Sequence, residues 1–159
     1  MQLRLLLFVL TVTGALFLGG ALAWLSWHYF DAQSTPTEPC TSVIREGHFI
    51  DESLRPYRFN GVITWWPKLS RLTLFGIRSD ADGNKVFNRT LVLDNVRRKA
   101  NVVHGKVAAI NIAVGDQLPA KTFLISEGNQ DLTLLFKPIN RDDWLVMIND
   151  NWVMMCEYK

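Results

Sequence analysis

The sequence predicts a mainly β protein: a single N-terminal transmembrane helix followed by a small antiparallel β-barrel or half-barrel. Three observations predict it. Leu5 to Phe30 contains no Asp, Glu, Lys or Arg, and a helix of ~20 such residues, rising ~1.5 Å each, crosses a ~30 Å hydrocarbon core. After residue 56 no stretch of helical length carries an apolar helical period. Seven or eight short runs rich in β-branched and aromatic residues stand there, separated by turn residues. A sheet without covering helices must bury its apolar face on itself, and ~8 strands closed into a barrel do so around room for one small ligand.

The span is residues 5–30, behind a cytoplasmic tail of residues 1–4. Before it lie only the α-amine and Arg4; after it the next basic residue is Arg45, with Asp31 and Glu38 closer. The positive-inside rule then leaves Met1 in the cytoplasm and carries residue 31 onward across the membrane. Trp24, Trp27, Tyr29 and Phe30 cluster at the far end, as an interfacial aromatic belt would. A cleaved signal peptide is the rival reading, since Ala21-Leu22-Ala23 has the small-x-small form of a cleavage site. The thin positive n-region and the apolar run continuing through Trp24 and Leu25 favour an uncleaved anchor. Small residues recur every four positions at Thr11, Ala15, Gly19 and Ala23. Ala15, Gly19 and Ala23 are candidate helix-packing positions, because small side chains let a second helix approach; Gly and Ala are also simply common in spans.

Residues 31–39 (DAQSTPTEP) are polar, hold two prolines and read as an extended linker. Residues 40–159 then form one exported periplasmic β domain of ordinary size. From Cys40 onward sixteen basic residues face thirteen acidic ones. That balance, on the far side of a membrane, excludes a direct nucleic-acid partner. Cys40 and Cys156 stand first and nearly last in that domain. In an oxidising compartment such a pair invites a disulfide, and closing so long a loop restricts the unfolded chain by ~4–5 kcal/mol. Two separate buried thiols are the alternative.

Along the domain, Thr41 to Pro56 allows a short helix or an irregular strand, with Gly47 against a long helix. Arg58 to Trp66 is a strand ended by Pro67, and Arg71 to Ile77 is the next, with Leu72, Leu74 and Gly76 on one face. Asp80 to Asn84 is a turn, and Val86 to Val96 the return strand. Val102 to Val114 holds one or two strands broken by Gly105. Within Gln117 to Gln130, Thr122 to Ile125 fits a strand or a helical turn. Asp131 to Lys137, Trp144 to Ile148 and Trp152 to Tyr158 are strands, the last two joined by a turn at Asn149-Asp150-Asn151. Trp152, Met154, Cys156 and Tyr158 share a face.

No catalytic constellation emerges, so an enzyme is not expected, nor a metal or a cofactor. His28, His48 and His104 are isolated, and no His-x-x-x-His, Cys-x-x-Cys, Gly-x-Ser-x-Gly or phosphate-cradling glycine loop occurs. Asp142-Asp143 reads as turn chemistry. His104 could titrate near neutral pH, although a solvated strand histidine is the plainer reading. Arg97-Arg98-Lys99 could meet lipid headgroups or, more plainly, guard a strand edge. Trp65, Trp66, Phe75, Trp144 and Trp152 are the candidate pocket lining or partner face, with an ordinary core as the plainer alternative.

A short tail, one span and a small Cys-bracketed domain, with Arg58-Phe59-Asn60-Gly61-Val62-Ile63-Thr64-Trp65-Trp66 and Asp143-Trp144-Leu145-Val146-Met147-Ile148 before Trp152 and Cys156, resemble the FidL-like inner-membrane proteins of enterobacteria. That group is similar in layout to ToxS, MyfF and PsaF. The resemblance covers nearly the whole chain but carries no catalytic signature. It implies a companion of a ToxR-like regulator, itself a single-span protein with a cytoplasmic DNA-binding domain. The companion's periplasmic domain would stabilise or modulate the regulator. A lipocalin-like barrel accepting bile-salt-like or other apolar ligands occurs in the wider group. No ligand residue carries over. A stand-alone anchored module for an apolar ligand is the alternative function.

Overall fold

The computed structural model describes residues 2–32, 34–51, 54–119, 130–140, 142–149 and 152–158. The chain divides into two compact units, Met1–Gln33 and Ser34–Lys159. The first is helix α1, Gln2–Ala32. Its Leu10–Trp27 window is long and apolar enough to cross a membrane, and none of it is buried by the protein. Leu16, Phe17, Trp24 and Trp27 all lie open, a surface that hydrocarbon satisfies and water does not. α1 is therefore a candidate single-pass anchor.

The second unit is a closed antiparallel barrel in plain meander order. Its strands are β1 Cys40–Ile50, β2 Pro56–Trp66, β3 Arg71–Asp80, β4 Gly83–Lys99, β5 Val102–Ile112, β6 Asp131–Pro138, β7 Asp143–Ile148 and β8 Trp152–Tyr158. Period-two alternation sends Phe59, Ile63 and Trp65 of β2 inward, with Leu72 and Leu74 of β3, Phe87 and Leu91 of β4, and Leu132, Leu134 and Phe136 of β6. Burying each such side chain contributes roughly 1.5–3 kcal/mol. Phe59 has room because two glycines face each other beneath it. Gly61 pairs with Gly76, and a Cβ on Gly76 would stand 2.4 Å from the Asn60 carbonyl oxygen and 2.8 Å from the Phe59 ring.

Several local expectations change. Thr41 to Pro56 supplies strand β1, whose register slips between Ile44 and Gly47, where Glu46 takes φ 52°. β5 runs through Gly105 unbroken. Gly105 sits inside the barrel wall, where a Cβ would press on Val96 at 3.1 Å; its small size permits packing and does not end the strand. β4 extends to Lys99 by absorbing a bulge between Asp94 and Arg97, with Asn95 at φ 51°. Within residues 34–39, Thr35 and Pro36 are buried while Thr37 and Glu38 are exposed, and the Ser34 hydroxyl donates to the Ala100 carbonyl. Thr122 to Ile125 lies outside the described residues, as do Asp150 and Asn151 of the last turn; Asn149 of that turn takes φ 47°.

Candidate functional site

Closure of the barrel is narrow. Across the seam, β1 and β8 are paired in register only at Cys40 with Tyr158 and Thr41 with Glu157, among the described residues. Every other neighbouring pair of strands shares at least five. Cys40 and Cys156 form a disulfide at this seam, with Cα atoms 5.4 Å apart, within the ordinary range. Both cysteines are buried. The first and last strands are thus joined covalently where their ladder is shortest.

Beside the outward seam pair Thr41–Glu157, the outside of the barrel carries apolar rows. On one side Phe75 lies opposite Val62, and Val62 opposite Val43. On the other, Leu145 lies opposite Met155, while Leu135, Met147 and Val153 form a second row. Val43 on β1 and Met155 on β8 are the next outward-facing residues beyond the last seam pair, Thr41 with Glu157. Phe75 and Val43 are each 58% exposed, Val153 56% and Met155 52%. A single exposed apolar residue is ordinary, but rows converging from both sides of one seam form a patch, and patches mark contact surfaces.

The five predicted aromatics do not share one surface. Trp65 and Trp144 are buried inside the barrel, Trp144 edge-on to Phe136 at 6.3 Å. Trp66 and Phe75 face outward, Trp66 donating its indole N–H to the Thr73 hydroxyl. The Trp152 side chain lies outside the described set. In α1, Ala15, Gly19 and Ala23 are all exposed, and a Cβ on Gly19 would meet nothing within 4 Å. Between Cys40, Trp65, Leu134 and Met154 lies a void of about 10 Å³.

The end of the barrel reached by Ile50 is polar within. Two arginines, Arg78 and Arg89, are each 3% exposed, on positions that alternation turns inward. Arg89 donates from Nε and Nη2 to both Asp116 oxygens at 3.0 Å, and from Nη2 to the carbonyls of Leu118 and Pro119. Burial works against the Asp116 carboxylate, but donors from Arg89, Asn88 and Leu118 overcome it and hold its pKa below the usual range. Arg78 donates to Asp51 and Asp80, each at 3.0 Å, and its guanidinium stacks 4.2 Å from the Tyr57 ring centre. Burial also opposes the Asp80 charge, yet the Asp82 amide, Lys85 and Arg78 leave its pKa lowered. Burial raises the Tyr57 phenol, partly offset by Arg78. Beside these groups opens a cleft of about 500 Å³, lined among others by His48, Arg58, Arg78 and Asp80.

No protein-family model, no curated protein and no solved structure matches this chain. Functional residues must therefore be read from the geometry. The sequence reading missed Arg78, Arg89, Asp51 and Asp116. A signal for the arginines was present: Arg78 continues the series Leu72, Leu74, Gly76, and Arg89 stands between Phe87 and Leu91 at the same spacing. An arginine on the inward phase of a strand announces a buried ion pair. Asp51 and Asp116 come from connecting segments and carry no such signal.

Proposed function

We propose that this chain is a membrane-anchored accessory protein that works by contact and not by making bonds. In this reading α1 spans a bacterial inner membrane with Met1 in the cytoplasm, and the barrel stands in the periplasm. The disulfide supports the compartment, since such bonds persist in oxidising surroundings. The partner is the periplasmic domain of a ToxR-like single-span DNA-binding regulator, which the barrel stabilises or modulates, as the resemblance to FidL-like and ToxS-like proteins implies. Ala15, Gly19 and Ala23 offer the partner's span a close approach.

The observation that carries the proposal is the apolar patch across the seam, centred on Val43 and Met155. Next to it, the β1 ladder toward β8 ends at Thr41 among the described residues. Copurification from detergent extracts tests it. A ToxR-like regulator encoded beside this chain should copurify with it, and V43E/M155E should abolish that recovery while leaving the barrel folded. Recovery undiminished in the variant, or no such regulator in the complex, overturns the proposal.

A further inference from the structure

We infer that one corner of the barrel, built from the β2–β3 turn and the end of β4, docks on anionic lipid headgroups of the membrane that α1 crosses. The inference rests on the reading of α1 as an uncleaved anchor and uses none of the residues of the seam patch.

The covalent path of the chain limits how far this corner can stand from the lipid. Ser34 is fastened to the barrel by its hydroxyl, which donates to the Ala100 carbonyl in the turn after β4. Thr35 and Pro36 behind it are buried. Ala32, the last residue of α1, precedes Ser34 by two residues, a reach of at most about 7 Å. An anchor ending at the interface therefore keeps the Ala100 turn within reach of the headgroup layer, itself roughly 5–7 Å deep.

Charge marks the same corner. Segments 67–71 and 94–101 carry five basic residues, Lys68, Arg71, Arg97, Arg98 and Lys99, against one acidic residue, Asp94, and all six are exposed. The rest of the domain from Cys40 carries eleven basic residues against twelve acidic ones, so its excess positive charge stands here. Asp31 and Glu38, in the connection from α1, reduce that excess without reversing it. Arg97 and Lys99 enter no ion pair among the described residues. Arg98 donates to the Pro67 carbonyl at 2.8 Å and holds the two segments side by side. Next to them the Phe136 amide donates to the Asn101 carbonyl, which brings the β6–β7 turn to this end. Two turn residues add aliphatic surface, Leu69 at 55% exposure and Ile139 at 48%. Cations beside exposed aliphatic side chains match a bilayer interface, where phosphates lie above an acyl boundary. Each basic residue near an anionic surface favours contact by roughly fivefold. An acidic protein would satisfy the same charges, but the tether presents this corner to lipid continuously.

NMR of the full chain in lipid nanodiscs, with a trace of lipid carrying a gadolinium chelate on its headgroup, tests this. One set of discs is phosphatidylcholine; the other contains about 30% phosphatidylglycerol, an anionic lipid. Hydrogen-exchange protection of the Leu10–Trp27 amides reports whether α1 is inserted. Broadening at Leu69, Lys99 and Ile139 should be about threefold or more stronger in the anionic discs. Asp82 and Gly83, at the β3–β4 turn of the opposite end, should not respond. Salt at ~0.5 M, where screening shortens to about 4 Å, should return the broadening to its phosphatidylcholine level, and so should R97Q/K99Q. Should that variant not fold, the salt series on the unaltered chain decides. Equal broadening in both discs, a lipid-dependent increase that salt leaves in place, or a larger response at Asp82 and Gly83 overturns the inference while α1 remains protected. Unprotected α1 amides overturn the anchor reading and this inference with it.

Discussion

Arg89 and Asp116 form the most deeply buried ion pair among the described residues, with side chains 3% and 0% exposed. Asp116 accepts from Arg89 and from the amides of Asn88 and Leu118, so its carboxylate is the charged centre of the bonds that fasten the segment after β5 to β4. Removing one partner of a buried pair leaves the other charged and dry, a loss of about 3–5 kcal/mol. D116N should lose that much in urea denaturation, whereas D82N, at an exposed turn carboxylate, should change little. The pH sense follows from direction. Asp116 and Asp80 have lowered folded pKa values, so their stabilisation is present above the unfolded carboxylate value and vanishes as pH falls through the folded ones. Chemical denaturation midpoints should therefore fall on acidification below about pH 4, and less so in D116N. Flat midpoints from pH 5 to 2 would contradict the pairing. G76V is the corresponding test of packing. Its side chain would meet the Asn60 carbonyl and Phe59, and overpacking of this kind costs about 1–3 kcal/mol or more.

At the scale of elements, β1 and β8 depend on one covalent bond more than on their ladder. The disulfide closes a separation of 116 residues, for which loop entropy predicts about 4–5 kcal/mol. C40S/C156S should lose stability of that order, and hydrogen exchange should quicken first at Thr41, Glu157 and Tyr158, the seam amides. Uniform loss across all strands would argue against a weak seam. The strands themselves were legible because alternation is strong in β2, β3, β6 and β7. What hid the β1 strand was its bulge: Glu46 in the left-handed region shifts the apolar phase between Ile44 and Phe49, so neither period two nor period 3.6 fits the run. Gly105 misled for another reason. It reads as a breaker by composition, but its place beside Val96 requires a small residue in mid-strand.

For the molecule as a whole, an apolar rod and a β unit were visible from hydropathy and turn chemistry, because both depend on short-range pattern. The candidate sites were not, since they depend on which distant strands meet. The patch requires Val43 and Met155 to share a seam, and the cleft requires Asp51 and Asp80 to reach Arg78. If α1 is an uncleaved anchor, the protein should resist alkaline carbonate extraction at its full-length mass. Replacing residues 2–32 by a cleavable export signal should release a soluble barrel that still contains the Cys40–Cys156 bond. A smaller membrane-bound species, or a released barrel with free thiols, would count against that organisation.

The bond from the first strand to the last also sets a timetable. A meander grows one neighbour at a time as the chain is delivered, yet Cys40 must wait for Cys156, 116 residues later. Until β8 emerges the nascent barrel is therefore an open, curling ribbon with its opening edge unclaimed. A premature stop just before Cys156 should be as damaging as one that removes half the sheet.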